Sequence, residues 1–367
     1  MTVTAEAEPP FEELWLDARR AAQEDALPPG EVLVSCSAPT GSGGLGRHFA
    51  EILLALARAG AAPRGIAGGG EDVRRPVVGT VRRALRRSPA WRAWADCVAF
   101  DRYAAARLAG GEHLIAFNGE ANRQFATARR RGYRSVSLMA ANSHMRRVIA
   151  LHRQARLRYP IEQPYSEHLL ARNLRDYERA ERIYYASDYI LESFLAEGWD
   201  AGRMTRFPLI PDPRFTPRTE RPAGPCFEVL YVGALTVAKG VPLLIDAVRR
   251  LPFEDLRLTL VGGWGTPGMR RFVQRALAAD PRIAVSPGDP LPHLRRASVF
   301  VHASWEDGFA YAPAEALAAG VPVLVSEDTG MKELIAGPDR GRVLATGDLD
   351  ALTEAIEAAY RGELFGR

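Results

Sequence analysis

Short apolar runs recur along this chain of 367 residues, and most are followed by a stretch whose apolar positions have helical spacing. Residues 32–35, 113–117 and 135–139 are such runs in the first half, and residues 227–233 and 258–263 follow in the second half. Apolar strands that alternate with amphipathic helices are typical of parallel sheets with helical connections. The pattern therefore predicts an α/β fold with doubly wound parallel sheets.

A proline-rich segment at residues 207–226 divides the chain into two predicted domains. The whole chain is longer than one typical domain, since single domains hold about 100–200 residues. We expect an N-terminal helical extension at 1–30, an N-terminal domain at 31–206, and a C-terminal domain at 227–367. A hydrophobic content of 47% is sufficient for two packed cores.

Composition restricts the class of protein only mildly. The net charge of +4 fits anionic partners such as phosphates or an acidic membrane surface, and it is equally ordinary for an enzyme with neutral substrates. The chain has no apolar run of about 18 residues and no apolar leader after its first residues, so we expect a cytoplasmic protein. Three widely spaced cysteines, Cys36, Cys97 and Cys226, favour neither a disulfide framework nor a zinc site.

Two loops combine glycine with a following helix. Gly43, Gly44 and Gly46 lie between the strand at 32–35 and a helix expected from about residue 47 to 59. Such a turn either binds phosphate or only packs a strand tightly on a helix. The second loop, after residues 299–302, carries Asp307 and precedes a helical pattern that contains Glu315. The free N–H groups of a helix start form an anion site. One carboxylate lies on the loop and the other inside the helix, so both are candidates to face the same ligand. The alternative is a surface loop before a buried, alanine-rich helix.

The second loop resembles the signature of retaining glycosyltransferases of family four, also called glycosyltransferase group 1. The family pattern Glu-Gly-Phe-Gly followed by Glu-Ala-Met-Ala-x-Gly-x-Pro-Val corresponds here to residues 307–310 and 315–323. The resemblance implies a GT-B fold, in which two Rossmann-like domains face each other across a cleft. It also implies that Asp307, in place of the usual Glu, holds the sugar hydroxyls and that Glu315 holds the ribose.

Further donor contacts follow from the same resemblance. The backbone of Gly308, Phe309 and Ala310 is expected beside the donor diphosphate. Residues 234–240 resemble the family sequence Gly-Arg-Leu, three residues, Lys-Gly; Lys239 matches the phosphate-binding Lys, and Ala234 replaces the Arg. The glycines at 43, 44 and 46 resemble the loop that covers the donor phosphates and lines the acceptor site.

His144 is the candidate among the seven histidines. It follows the strand at 135–139, and ligands of open α/β sheets bind at the carboxyl ends of strands. The segment Asn142-Ser143-His144 resembles a Ser-x-His or Ser-Ser-His element in one branch of the family, which implies contact with the sugar or the acceptor. The alternative is a structural histidine that only forms hydrogen bonds.

The resemblance implies transfer of a sugar from a nucleotide diphosphate sugar to an acceptor hydroxyl with retention of configuration. His144, Lys239 and Asp307 are the expected catalytic residues, and neither a metal nor another cofactor is expected. Asp348-Leu349-Asp350 resembles a metal motif of a different fold, but it is better explained as a helix cap. Two alternatives stay open: a nucleotide-sugar epimerase of the same fold, and a non-catalytic protein that binds nucleotide sugars.

A basic segment at residues 74–94 raises the question of the acceptor. It contains Arg82, Arg83, Arg86 and Arg87, and it ends with Trp91 and Trp94. Such a segment contacts an anionic membrane peripherally or forms a solvated helix face. No nucleic-acid recognition motif accompanies it, so we do not expect nucleic acid. The acceptor is left open between a small molecule and a lipid-linked glycan.

Overall fold

The computed structural model describes residues 13–68, 89–162, 167–218 and 225–365. These residues form two compact units. Within the described ranges, the N-terminal unit comprises residues 17–150 and 167–209, and the C-terminal unit comprises the remainder.

The N-terminal unit is built on a six-stranded parallel sheet with the order β2-β1-β3-β4-β5-β6. The strands are β1 (Glu31–Cys36), β2 (Ala62–Ala67), β3 (His113–Phe117), β4 (Ser135–Ala140), β5 (Arg182–Tyr185) and β6 (Met204–Arg206). The helices in this half of the chain are α1 (Glu13–Ala26), α2 (Gly43–Arg58), α3 (Pro89–Arg107), α4 (Asn122–Arg130), α5 (Met145–Arg158), α6 (Glu167–Arg179) and α7 (Asp188–Leu195). β1, β3 and β4 are buried over nearly their whole length, as their continuous apolar runs predict.

The C-terminal unit has a second six-stranded parallel sheet, with the order β12-β11-β10-β7-β8-β9. Its strands are β7 (Phe227–Val232), β8 (Leu256–Val261), β9 (Ile283–Val285), β10 (Val299–His302), β11 (Val323–Ser326) and β12 (Gly341–Leu344). Its helices are α8 (Val241–Arg250), α9 (Pro267–Ala279), α10 (Leu291–Leu294), α11 (Tyr311–Ala318) and α12 (Leu349–Arg361). The prediction of two doubly wound parallel sheets is confirmed.

The strand order of the C-terminal sheet creates a topological switch point. β7 is the first strand along the chain, β8 and β9 follow on one side of it, and β10 lies directly on the other side. The helices that follow β7 and β10 therefore lie on opposite faces of the sheet, and open α/β sheets bind ligands at such a point, beside the loops that leave the two strands.

Residues 151–162 group with the C-terminal unit, although the sequence placed them within the N-terminal domain 31–206. The hydroxyl of Tyr159 donates to the carboxylate of Asp246 on α8 at 2.8 Å. Ile161 packs against the apolar core of the C-terminal unit. These contacts hold residues 151–162 against the C-terminal unit. They join residues that are far apart in sequence, so no local sequence pattern predicts them.

The basic segment 74–94 is described only in part. Of the basic segment 74–94, the residues up to 88 lie outside the described ranges, including Arg82, Arg83, Arg86 and Arg87. Trp91 and Trp94 lie on α3. Among the described residues, no helix is both long and apolar enough to cross a bilayer.

Candidate active site

Lys239 and Asp307 meet at the switch point of the C-terminal sheet. Lys239 follows β7, Asp307 follows β10, and these strands are hydrogen-bonded neighbours. The Nζ atom of Lys239 lies 2.6 Å from Oδ2 of Asp307. The backbone N–H of Trp305 donates to the carbonyl of Ala238 at 2.8 Å, so the two loops are also joined by main-chain contacts. The structure thus brings together two of the three predicted catalytic residues.

His302 is a third member of this cluster that the sequence did not single out. Its Nε2 lies 3.1 Å from the same Oδ2 of Asp307, and its ring stacks on Tyr231 with an interplanar angle of 6°. Because a carboxylate only accepts, Nε2 must donate. The buried Nδ1 has no hydrogen-bond partner within the described residues. A polar residue at the last position of a buried strand was the available signal.

Electrostatics keep Asp307 ionised. Burial alone would raise the pKa of its carboxyl, but the Lys239 ammonium and the hydrogen bond from His302 hold that pKa well below its usual range. The side chain retains 19% exposure. The site therefore presents a partly accessible carboxylate that can accept hydrogen bonds from hydroxyl groups.

The loop that carries Lys239 is held close to the loop after β10. Gly240, the N-cap of α8, has a φ of 72°, and a Cβ there would lie 1.8 Å from the carbonyl oxygen of Ala303. Only glycine fits a left-handed conformation at such a close approach. The Lys-Gly pair of the motif thus has a structural reason in addition to its charge.

Glu162 fixes this loop from the other side. Its carboxylate accepts a hydrogen bond from the N–H of Val237 at 2.6 Å and one from the hydroxyl of Thr266 at 2.7 Å. Thr266 caps α9, so one carboxylate joins the loops after β7 and β8. The N–H of Leu235 also donates to the carbonyl of Gly263 at 2.8 Å. Sequence reasoning missed Glu162 because it lies 75 positions before Val237.

The predicted diphosphate contacts Gly308, Phe309 and Ala310 lead into α11. Ala310, its N-cap, has a φ of 71° and makes no side-chain capping bond. All three residues are buried, and the carbonyl of Phe309 accepts from the N–H of Met331 at 2.8 Å. Glu315 lies within α11 and is 3% exposed. The predicted loop-to-helix turn is therefore present, and it begins α11 at Tyr311.

Gly43, Gly44 and Gly46 lie in the N-terminal unit, inside the first turn of α2. The helix starts at Gly43, four positions before the expected start near residue 47. Gly43 has a φ of 61° and open space around it, whereas a Cβ on Gly46 would lie 2.0 Å from the carbonyl oxygen of Pro39. Gly46 is thus required for packing, and Gly43 and Gly44 are exposed.

His144 lies in the N-terminal unit, within an aromatic cluster. Its ring centroid is 5.0 Å from Phe194 and 5.1 Å from Tyr177. Nδ1 accepts from the N–H of Arg146 at 3.4 Å, and the buried Nε2 has no hydrogen-bond partner among the described residues. Burial, helped by the charge of Arg146, lowers the pKa of His144 to about 4. The ring is therefore neutral at physiological pH. Its packing against aromatic rings is compatible with a structural histidine as well as with a ligand contact.

The described residues contain no group of three or more His, Cys, Asp or Glu side chains placed to hold a metal ion. Asp348 accepts from the N–H of Ala351 at 2.9 Å and caps α12. This agrees with the interpretation of Asp348-Leu349-Asp350 as a helix cap.

The C-terminal unit matches a known protein family. Residues 226–361 match the family model described as "Glycosyl transferases group 1". The chain is similar to O-antigen chain mannosyltransferase B of Escherichia coli, with 30% identity over 135 residues that make up 35% of each chain. It is also 25% identical over 142 residues, 37% of each chain, to the capsular polysaccharide biosynthesis glycosyltransferase CapM of Staphylococcus aureus. The matched segments thus span just over a third of these relatives.

Solved structures resemble nearly the whole chain in fold. Sucrose-phosphate synthase from Thermosynechococcus elongatus has a TM-score of 0.70 at 19% identity, covering 91% of this chain and 90% of that protein. HepE from Anabaena, solved in complex with UDP and glucose, has a TM-score of 0.61 at 15% identity and similar coverage, 91% and 90%. These likenesses confirm the expected GT-B fold class and, at such identities, concern the fold alone.

Proposed function

We propose that this chain, which carries a glycosyl transferases group 1 domain at residues 226–361, transfers a sugar from a nucleoside diphosphate sugar to an acceptor hydroxyl with retention of configuration. The observation that carries the proposal is the contact of Lys239 with Asp307 at the switch point of the C-terminal sheet. A cation and an ionised carboxylate lie side by side there, which supports binding of phosphate by the first and of sugar hydroxyls by the second.

The chemistry of transfer assigns a role to each group. The bond between the anomeric carbon and the diphosphate oxygen breaks, the acceptor hydroxyl oxygen bonds to that carbon, and the hydroxyl proton passes to the leaving diphosphate. Negative charge grows on the diphosphate and positive charge on the sugar as the first bond breaks. Groups that are fixed in advance and aimed at such charges contribute the largest part of catalysis. Lys239 and the N–H groups at the start of α11 face the diphosphate. Asp307 accepts from the sugar hydroxyls and Glu315 from the ribose.

The N-terminal unit supplies the remaining proposed contacts. Gly43 and Gly44 are exposed in the first turn of α2, where backbone can approach a phosphate closely. His144 is proposed to contact the sugar or the acceptor through Nε2. The acceptor is a small molecule or a lipid-linked glycan, and a peripheral contact of residues 82–94 with anionic lipid belongs to the second case. No metal takes part in the proposed reaction.

The relatives support a nucleotide sugar as the donor. HepE was solved with UDP and glucose, and mannosyltransferase B is named for mannose transfer. Lys239, Asp307 and Glu315 all lie within the residues that match the family model. The proposed donor therefore rests on the part of the chain that matches the family model.

A donor panel tests the proposal. Purified protein, treated with a chelator, is incubated with UDP-, GDP-, ADP- and dTDP-linked hexoses, and release of the nucleoside diphosphate is followed with and without a pool of glycan acceptors. We expect release from one donor class, and NMR of the product should show the anomeric configuration of the donor. An inverted product would contradict retention. An epimerised nucleotide sugar, or binding without turnover, would contradict transfer.

A further inference from the structure

A cavity of about 400 Å³ lies in the N-terminal unit, between α3, α4 and α6. Trp91, Asn122 and His168 stand in the first turns of these three helices. α3 and α4 follow strands, and α6 ends just before β5 begins, so all three helices start at the carboxyl edge of the sheet. Parallel α/β sheets bind ligands at this edge, and sites for small molecules occupy about 300–1,000 Å³.

One wall of the cavity is aromatic. The ring centroids of Trp91 and His168 are 4.5 Å apart, and the Trp91 and Trp94 rings are 5.8 Å apart at 82°. Trp91 nevertheless remains 42% exposed. The face of an indole ring carries partial negative charge and attracts the slightly positive C–H groups on one side of a sugar ring. An exposed indole beside polar groups is therefore suited to a saccharide.

The polar wall of the cavity includes Arg172, whose side chain is fixed by buried contacts. Arg172, whose side chain is 12% exposed, forms a buried ion pair with Asp101 and donates to the carbonyl of Gly119. Asp101 also accepts from the backbone N–H groups of Arg123 and Gln124, each at 2.9 Å. Polar groups that are already fixed lose little entropy when a ligand binds. The cavity is thus preorganised on its polar side.

Arg175 leaves uncompensated positive charge at the cavity. It lies one helical turn beyond Arg172 on α6, it is exposed, and it forms no ion pair within the described residues. The charge of Arg172, by contrast, is balanced by Asp101. An Arg guanidinium binds a carboxylate or phosphate through two parallel hydrogen bonds. Arg175 therefore favours an occupant with one anionic group.

We propose that this cavity binds a sugar ring that bears a carboxylate or a phosphate. The ring stacks on Trp91, and its anionic group pairs with Arg175. That this sugar is part of the acceptor rests on the proposed function, whereas its binding does not. The cavity then selects acidic glycans over neutral ones as acceptors.

Ligand-observed NMR titration tests the site with methyl β-D-glucuronide, glucose 6-phosphate and the neutral methyl β-D-glucoside. We expect saturable binding of at least one acidic probe, at least tenfold tighter than that of the neutral one. Trp91→Ala and Arg175→Gln should each weaken it at least tenfold, whereas Arg131→Gln, an exposed Arg at the other end of α4, should not. Equal binding of neutral and acidic probes, or an unchanged affinity in Arg175→Gln, would overturn the proposal.

Two parallel measurements separate this inference from the proposed function. Binding of nucleoside diphosphates and turnover of the donor are measured on the same variants, and Arg175→Gln should leave diphosphate affinity unchanged. Normal donor turnover without binding of either acidic probe would overturn the acidic-sugar site alone. Binding of an acidic probe without any donor binding would contradict the transferase and leave the site standing.

Discussion

The Nζ atom of Lys239 lies 2.6 Å from Oδ2 of Asp307, although 68 positions separate the two residues along the chain. They meet because β7 and β10 are neighbours at the switch point of the sheet. A diphosphate that binds there competes with Asp307 for the ammonium group. The two side chains should therefore respond to a donor as one unit.

Replacement of Lys239 by Ala should weaken nucleoside diphosphate binding and slow transfer at least tenfold, about 1.4 kcal/mol. The loss follows because Lys239 is the cationic side chain that matches the phosphate-binding Lys of the family motif and contacts Asp307, just before the start of α11. Calorimetric titration and steady-state kinetics measure the two effects. Lys332→Ala is the control, since the ammonium of this partly buried lysine donates to the carbonyl of Glu327 at 2.7 Å. Wild-type kinetics in Lys239→Ala would remove its assignment.

Asp307→Asn should depress transfer about ten- to a hundredfold, whereas Glu306→Gln should stay within a few-fold of wild type. A charge-assisted hydrogen bond to a sugar hydroxyl contributes roughly 1.5–3 kcal/mol. Asp307 contacts Lys239 and is 19% exposed, whereas Glu306 is 2% exposed. A transfer assay with the true donor ranks the two variants. The reverse order would assign the sugar contact to Glu306.

Glu162→Ala should raise the KM for the donor at least fivefold with a smaller change in kcat. The carboxylate joins Val237, in the loop of Lys239, to Thr266, and hydrogen bonds to a charged group contribute about 1.5–3 kcal/mol each. Glu162→Gln retains acceptor capacity and should restore part of the affinity. Tyr159→Phe removes the bond to Asp246 from the same segment and should leave the KM unchanged. Equal effects of Glu162→Ala and Tyr159→Phe would show that Glu162 only anchors its segment.

His144→Phe should lower turnover at least tenfold and leave diphosphate affinity unchanged. The substitution keeps an aromatic ring against Tyr177 and Phe194 but removes both ring nitrogens. The diphosphate is proposed to bind Lys239, the start of α11 and the glycines of α2 but not His144, so its affinity is an internal control. Full turnover per folded molecule would establish His144 as structural.

The stability of the wild type relative to His144→Phe should fall as the pH drops from about 6.5 to about 4. Burial lowers the pKa of His144 from its ordinary 6.5 to about 4, so the unfolded chain takes up a proton over that range before the folded protein does. The neutral ring is thus favoured only above this window. Thermal unfolding of both proteins at several pH values measures the difference. A constant difference would mean that the ring is solvated.

Features of the donor loops could be predicted from sequence because they are local. The resemblance of their loops to the family motifs predicts Lys239 and Asp307, and each loop follows an apolar strand, β7 or β10, so both residues are expected at the carboxyl edge of the sheet. The sequence predicts a loop at residues 43–46, because glycine is a poor helix former, whereas α2 starts at Gly43. In this turn, the close packing of Gly46 against Pro39 outweighs the low helix propensity of glycine.

Contacts between distant segments could not be predicted. Glu162 reaches Val237 across 75 positions, and no periodicity marks a residue whose partner is on another part of the chain. His302 was passed over because a histidine in an apolar strand looks like part of the core, and its stacking on Tyr231 shows that it partly is. Its hydrogen bond to Asp307 depends on the conformation of the loop after β10, which the sequence does not specify.

The grouping of residues 151–162 with the C-terminal unit decides how this protein can be divided for expression. A fragment cut at the proline-rich segment near residue 207 would lack Tyr159, Ile161 and Glu162, and it would leave Asp246 and Val237 without their partners. The complementary fragment would carry the same segment without these partners. A chimaera that exchanges donor units between homologues must therefore transplant residues 151–162 together with the C-terminal segment.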